Sequence, residues 1–144
     1  MTGGPLAALA AALRAGAAGL YCAEAGAELL IKQQSWLSRS DFAPFVVIAP
    51  ATAGQAVTAA AGWEAAITAL DGGGALPCSS GERRMLRLAA SLAAGIPADL
   101  GEALTGLDRA GITAAAGAVL HAAGHRGATV TLPPDVPPCP AKRM

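Results

Sequence analysis

The sequence predicts an all-α protein: a compact bundle of five to seven short, alanine-rich helices followed by a proline-rich C-terminal tail. Three observations point there. Alanine supplies 38 of the 144 residues, while aromatic residues make up only 3%. Leucines and alanines recur at three- and four-residue steps through most of the chain, the period of one helix face. Cap-forming residues and glycine or proline stops cut that pattern into short segments. Alanine has the highest helix propensity but buries little area per side chain. Stability therefore has to come from close approach of helix axes rather than from bulky packing.

Pro5 suits the first turn of a helix carrying Leu6, Leu9, Leu13 and Ala17; Gly16 and Gly19 mark either close contacts or a junction of two helices. Leu20, Glu24, Leu30 and Trp36 continue helix to about Leu37, and Ser38 to Asp41 form a turn. Val46, Val47 and Ile48, after Phe45 and between Pro44 and Pro50, predict either a short edge strand or an extended connector. Thr52 and Gln55 have the spacing of a capping box, ahead of a helix with Val57, Ala60, Ala61, Trp63, Ile67 and Leu70. Asp71-Gly72-Gly73-Gly74 stops it. Ser79 and Glu82 form a second box before Met85, Leu86, Leu88, Ala89 and Leu92, and Gly95-Ile96-Pro97 ends that helix. Asp99 with Glu102 caps a short helix broken by Gly106. Asp108 opens the last helix, with Ile112, Val119 and Leu120 expected inward and Gly124 as its stop.

These elements predict a single α-helical domain over residues 1–126 and an extended, mobile tail over 127–144, where five prolines fall without periodicity. Tyr21, Trp36, Phe42, Phe45 and Trp63 are the expected core anchors among the alanines. The helix from Ser80 to Ala94 is the expected centre of the core, packed against the Trp63 helix and the Ile112–Leu120 helix.

Charge and cysteine usage exclude several functions. Ten basic residues balance ten acidic ones, which argues against a generic polyanion binder. Cys22, Cys78 and Cys139 are odd in number and widely spaced, with no C-x-x-C pair, so neither a zinc ribbon nor a thioredoxin-type site is written here. That usage fits a reducing cytosol. The N-terminus lacks a positive leader region, and Arg14 interrupts its apolar run. The longest uncharged stretch, residues 42–63, contains Pro44, Pro50 and Gly54 and makes a poor spanning helix. A soluble cytoplasmic protein without cofactor, metal or membrane association is the expectation.

The residues with most chemical potential lie between Cys78 and His125. Ser79 and Ser80 precede a helix bearing Arg83, Arg84 and Arg87, and a helix N-terminus offers free N–H groups and partial positive charge to an anion. With Arg109 they form the candidate anion or nucleic-acid site. His121 and His125 are four apart, but Gly124 lies between them, no carboxylate stands at metalloprotease spacing, and no third ligand is nominated.

Three resemblances bear on function. SSGERRMLRLAASLA followed by GEALTGLD resembles the signature helix and following acidic run of ABC-type ATPases, with Glu102 at the catalytic glutamate and Asp108 at the later aspartate. The chain has no G-x-x-x-x-G-K-[ST] loop, so ATP hydrolysis is excluded. LGEALTGLDRAGITAAAGAVLHAAG resembles the core of helix-turn-helix domains. That likeness implies Leu100 and Leu104 inward, Gly106 in the turn, Ile112 as an anchor and Arg109 and Thr113 toward nucleic acid. Over the whole chain, the order of AALRAGAAGLYCAEAGAELLI, SWLSRSDF, WEAAITALD, LPCSSGERRMLRLAASLAAGIP and TGLDRAGITAAAGAVLHAAGH is similar to a family of short conserved hypothetical proteins of high-GC actinobacteria. It implies a small intracellular bacterial protein and supplies no site residues. The leading expectation is a non-enzymatic helical interaction module with a protein partner. The alternatives are a helix-turn-helix-like nucleic-acid binder and an enzyme of unrecognised type, and a homo-oligomer is compatible with each.

Overall fold

The computed structural model describes residues 4–72 and 74–134. Along them run α1 (Pro5–Ala17), α2 (Tyr21–Lys32), α3 (Gln34–Leu37), a 3-10 turn (Ala43–Phe45), β1 (Val46–Ala49), β2 (Thr58–Ala61), α4 (Trp63–Asp71), α5 (Ser80–Ala94), α6 (Leu100–Leu104) and α7 (Arg109–Ala122). The fold is mostly helical but not all-α, because β1 and β2 pair antiparallel with Val46 opposite Ala61 and Ala49 opposite Thr58.

The hairpin corrects one expected helix. Thr52 and Gln55 do not cap it; each donates its N–H to the other's carbonyl, at 3.1 and 3.0 Å, and they close the hairpin end with Gly54 at positive φ. The physical reason is the backbone of the Val-Val-Ile run, which needs a ladder partner once it is extended. Thr58–Ala61 supply that partner, and helix begins only at Trp63, after Gly62 has donated to the Phe45 carbonyl at 2.6 Å.

Small residues set the packing distances. A Cβ at Gly26 of α2 would lie 2.6 Å from the Ala93 Cβ and 2.7 Å from the Ala89 carbonyl oxygen of α5. A Cβ at Gly16 would collide with the Ala59 carbonyl of β2. The centre of the molecule is thus the α2–α5 pair, whereas the sequence pattern placed α5 against α4 and α7. Both of those contacts exist, but α2 makes the most extensive one.

Two apolar clusters flank this pair. The first holds Trp36, Phe42, Leu30, Leu70, Leu76 and Leu86. Trp36 is fully buried, stacks at a tilt on Phe42 with centroids 5.3 Å apart, and donates its indole N–H to the Glu82 carbonyl at 3.1 Å. The second joins Ala25, Leu29, Met85, Leu88, Ala89, Ala103, Leu107, Ala115 and Ala118. Of the expected aromatic anchors, Trp36 and Phe42 are buried, Phe45 and Trp63 are half-buried, and Tyr21 is exposed. Tyr21 opens α2, beyond both clusters, and packs its ring against His121 instead. After α7 the chain turns at Gly124 and continues without regular structure to Pro134. The rest of the expected tail, residues 135–144, lies outside the described residues. Among the described residues no helix is long and apolar enough to cross a membrane.

Candidate functional site

The arginine-bearing helix begins with a complete capping box. Ser79 Oγ accepts from the Glu82 N–H at 3.2 Å, and Glu82 Oε1 accepts from the Ser79 N–H at 2.9 Å. These bonds use the Ser79 hydroxyl that the sequence nominated for an anion. Arg83 donates to the Leu70 carbonyl at 3.3 Å and lies 3.7 Å from Asp71, while Arg87 pairs directly with the same carboxylate. Arg84 reaches toward Ser80 Oγ at 3.5 Å. Ser80, Arg83, Arg84 and Arg87 do converge, on a cavity of about 380 Å³ that Asp99 and Glu102 also line. With Asp71 on two of the arginines and Asp99 and Glu102 in the wall, three cations meet three carboxylates. Arg109 is not part of this group; it donates to the Pro133 and Leu132 carbonyls at 2.8 and 2.9 Å.

His121 and His125 both line one hollow of about 260 Å³ at the end of α7, with Glu28 and Lys32 also in its wall. His121 Nε2 lies 2.7 Å from Glu24 Oε1, and Glu24 Oε2 accepts the Gly19 N–H at 2.9 Å. Arg126 stands 3.8 Å from the same carboxylate and stacks over Tyr21. The His121 hydrogen bond, followed by the Gly19 N–H, holds the Glu24 carboxyl below its ordinary range. This cluster ties the start of α2 to the end of α7. His125 is exposed, and among the described residues no group of three His, Cys, Asp or Glu side chains is placed to hold a metal. Cys22 is an exposed free thiol; Cys78 is half-buried, and burial pushes its thiol up.

The feature that sequence reasoning missed is an apolar groove. Leu100 and Leu104 of α6 and Ile112 and Val119 of α7, all expected inward, are 59%, 44%, 38% and 58% exposed. They line a hollow of about 950 Å³ floored by Leu29, Leu88 and Leu92. Along the chain beyond α7, Thr129, Val130 and Thr131 form its far wall. Among the described residues every lining side chain is uncharged, and Ser91, Thr129 and Thr131 supply the only polar ones. The cause is the face that α7 buries. It turns Gly111, Ala115 and Ala118 inward, and its largest contact surface is with α2. Small residues dock the helix closely and leave its larger aliphatics outside. RAGITAAAGAVLHA is apolar nearly all round, so its pattern does not say which of its faces the fold covers.

Comparison with known proteins returns no family model, no curated protein and no solved structure that matches the chain. Function therefore rests on this geometry.

Proposed function

We propose that the protein is a non-enzymatic interaction module that docks a protein segment with an uncharged apolar face in the groove between α5, α6 and α7. The observation that carries this reading is the exposure of Leu100, Leu104, Ile112 and Val119 around one hollow whose described lining is uncharged. An exposed apolar patch of this kind marks an interaction surface more often than an accident of folding. The helix-turn-helix alternative would send α7 into a nucleic-acid groove. The outward stripe of α7 is Ile112, Ala116 and Val119, where base reading and phosphate contact call for basic or amide side chains. The arginines of α5 are turned to Asp71 and to a pocket shared with two more carboxylates, which weakens them as an anion site. A cytoplasmic setting, in a small bacterial protein, fits the free thiols Cys22 and Cys78.

An environment-sensitive apolar dye tests the reading on dilute purified protein. Saturable binding should be seen with the native chain and with Val47→Glu, a control on the exposed side of β1. It should be lost in Leu104→Glu and Ile112→Glu variants that keep their helical circular dichroism. Absence of binding to the native chain, or binding that ignores the groove variants, would overturn it.

A further inference from the structure

Independently of the apolar groove, we propose that the cavity between α5 and α6 binds a small zwitterion of the amino-acid class, its carboxylate held at Arg84 and Ser80 and its ammonium at Glu102. The cavity measures about 380 Å³, within the range of about 300–1,000 Å³ that small-molecule sites occupy. Two charges of opposite sign face it from different elements without meeting. Arg84 comes from α5 and Glu102 from α6, and among the described residues neither has an ion-pair partner. The other charges of the lining are committed. Arg83 and Arg87 share Asp71, and Asp99 Oδ1 accepts the Glu102 N–H at 3.1 Å.

The fold holds Arg84 in place and leaves most of its donors unused. The residue is half-buried, and its guanidinium lies against the turn between α6 and α7, where a Cβ at Gly106 would stand 3.1 Å from Arg84 Nη1. Among the described residues its one side-chain hydrogen bond is the long contact to Ser80 Oγ at 3.5 Å. A planar fork of donors therefore remains for a carboxylate to accept from. The lining also decides against simpler ligands. An isolated anion would face Asp99 and Glu102, and an isolated cation would face three guanidiniums. A molecule with both charges on one short frame meets each with its complement. Pro97, Ala98 and Ala103 give its aliphatic part an apolar wall.

Titration of the isotope-labelled full chain with alanine and with dialanine, followed by backbone amide shifts, tests the proposal. Alanine carries its two charges on one carbon, and dialanine spaces them by one further residue. At least one of the two should give saturable shifts at millimolar concentration, centred on residues 80–84 and 98–103, and the tighter binder fixes the span of the site. Acetate and ethylammonium, with one charge each, should bind more weakly by about tenfold, because each forfeits a charge-assisted contact. Arg84→Ala and Glu102→Gln should each lose about the same factor while keeping their helical circular dichroism. Arg126→Ala, outside the lining, should bind as the native chain does. No saturable shift with either probe would overturn the proposal. So would acetate binding as tightly as the zwitterions, or a Glu102→Gln variant that binds unchanged.

Discussion

The two apolar clusters are built from different materials and end differently. Around Trp36 and Phe42 the chain places large rings and leucines, and α1, the hairpin, α4 and α5 close over them until both rings are fully buried. Around Ala25 and Ala118 it places mostly alanine, so α2, α5 and α7 meet closely while the larger side chains of α6 and α7 are left outside. Large side chains fill a core by pointing inward. Alanine-lined helices can fill one while pointing their leucines and valines outward. The same hydrophobic content yields a sealed region on one side and a docking face on the other.

A graded truncation series is the sharpest way to break that contrast. Trp36→Ala should cost about 3–5 kcal/mol, through the cavity and the lost indole bond to Glu82. Leu88→Ala, buried at the floor of the groove, should cost about 2–5 kcal/mol. Leu100→Ala, on the exposed rim, should cost under about 0.5 kcal/mol in the single chain. Denaturant midpoints give the order. A costly Leu100→Ala would mean that the rim is covered within one chain.

A smaller effect concerns the Glu24 cluster, which joins the N-terminus of α2 to the end of α7. Its carboxyl is held below the ordinary glutamate range, first by His121 and then by the Gly19 N–H. A group with a lowered folded value contributes stability that is complete above its unfolded value and lost as pH falls through the folded one. The melting-temperature difference between the native chain and Glu24→Gln should therefore be full near neutrality and shrink as pH drops below the ordinary glutamate range. A difference that grows in acid would contradict the assigned sign.

Much of the helical framework was legible because its signals are local. The capping box of Ser79 and Glu82, the caps at Asp99 and Asp108 and the stop at Gly124 all operate as their spacing predicts. The Thr52–Gln55 spacing misled because the same two residues can close a hairpin, and the choice between the readings lies in the distant demand of Val46–Ile48 for a ladder partner. The groove was hidden for another reason. On a helix apolar nearly all round, periodicity does not say which face is buried, and the sequence reads the larger Ile112 and Val119 inward in preference to Ala115 and Ala118. Close packing reverses that preference. Arg83, Arg84 and Arg87 line one pocket, but Asp71 lies sixteen residues before Arg87, and no local pattern announces that it turns toward them.

Carbene footprinting of the chain, at dilution low enough to hold it as single molecules, tests the asymmetry most directly. The account predicts strong labelling of Leu100, Leu104, Ile112 and Val119, with Trp36, Phe42 and Leu30 protected in the same sample. Protection of the α6–α7 rim to the level of Trp36 would contradict it, because the face offered to a partner would then be interior.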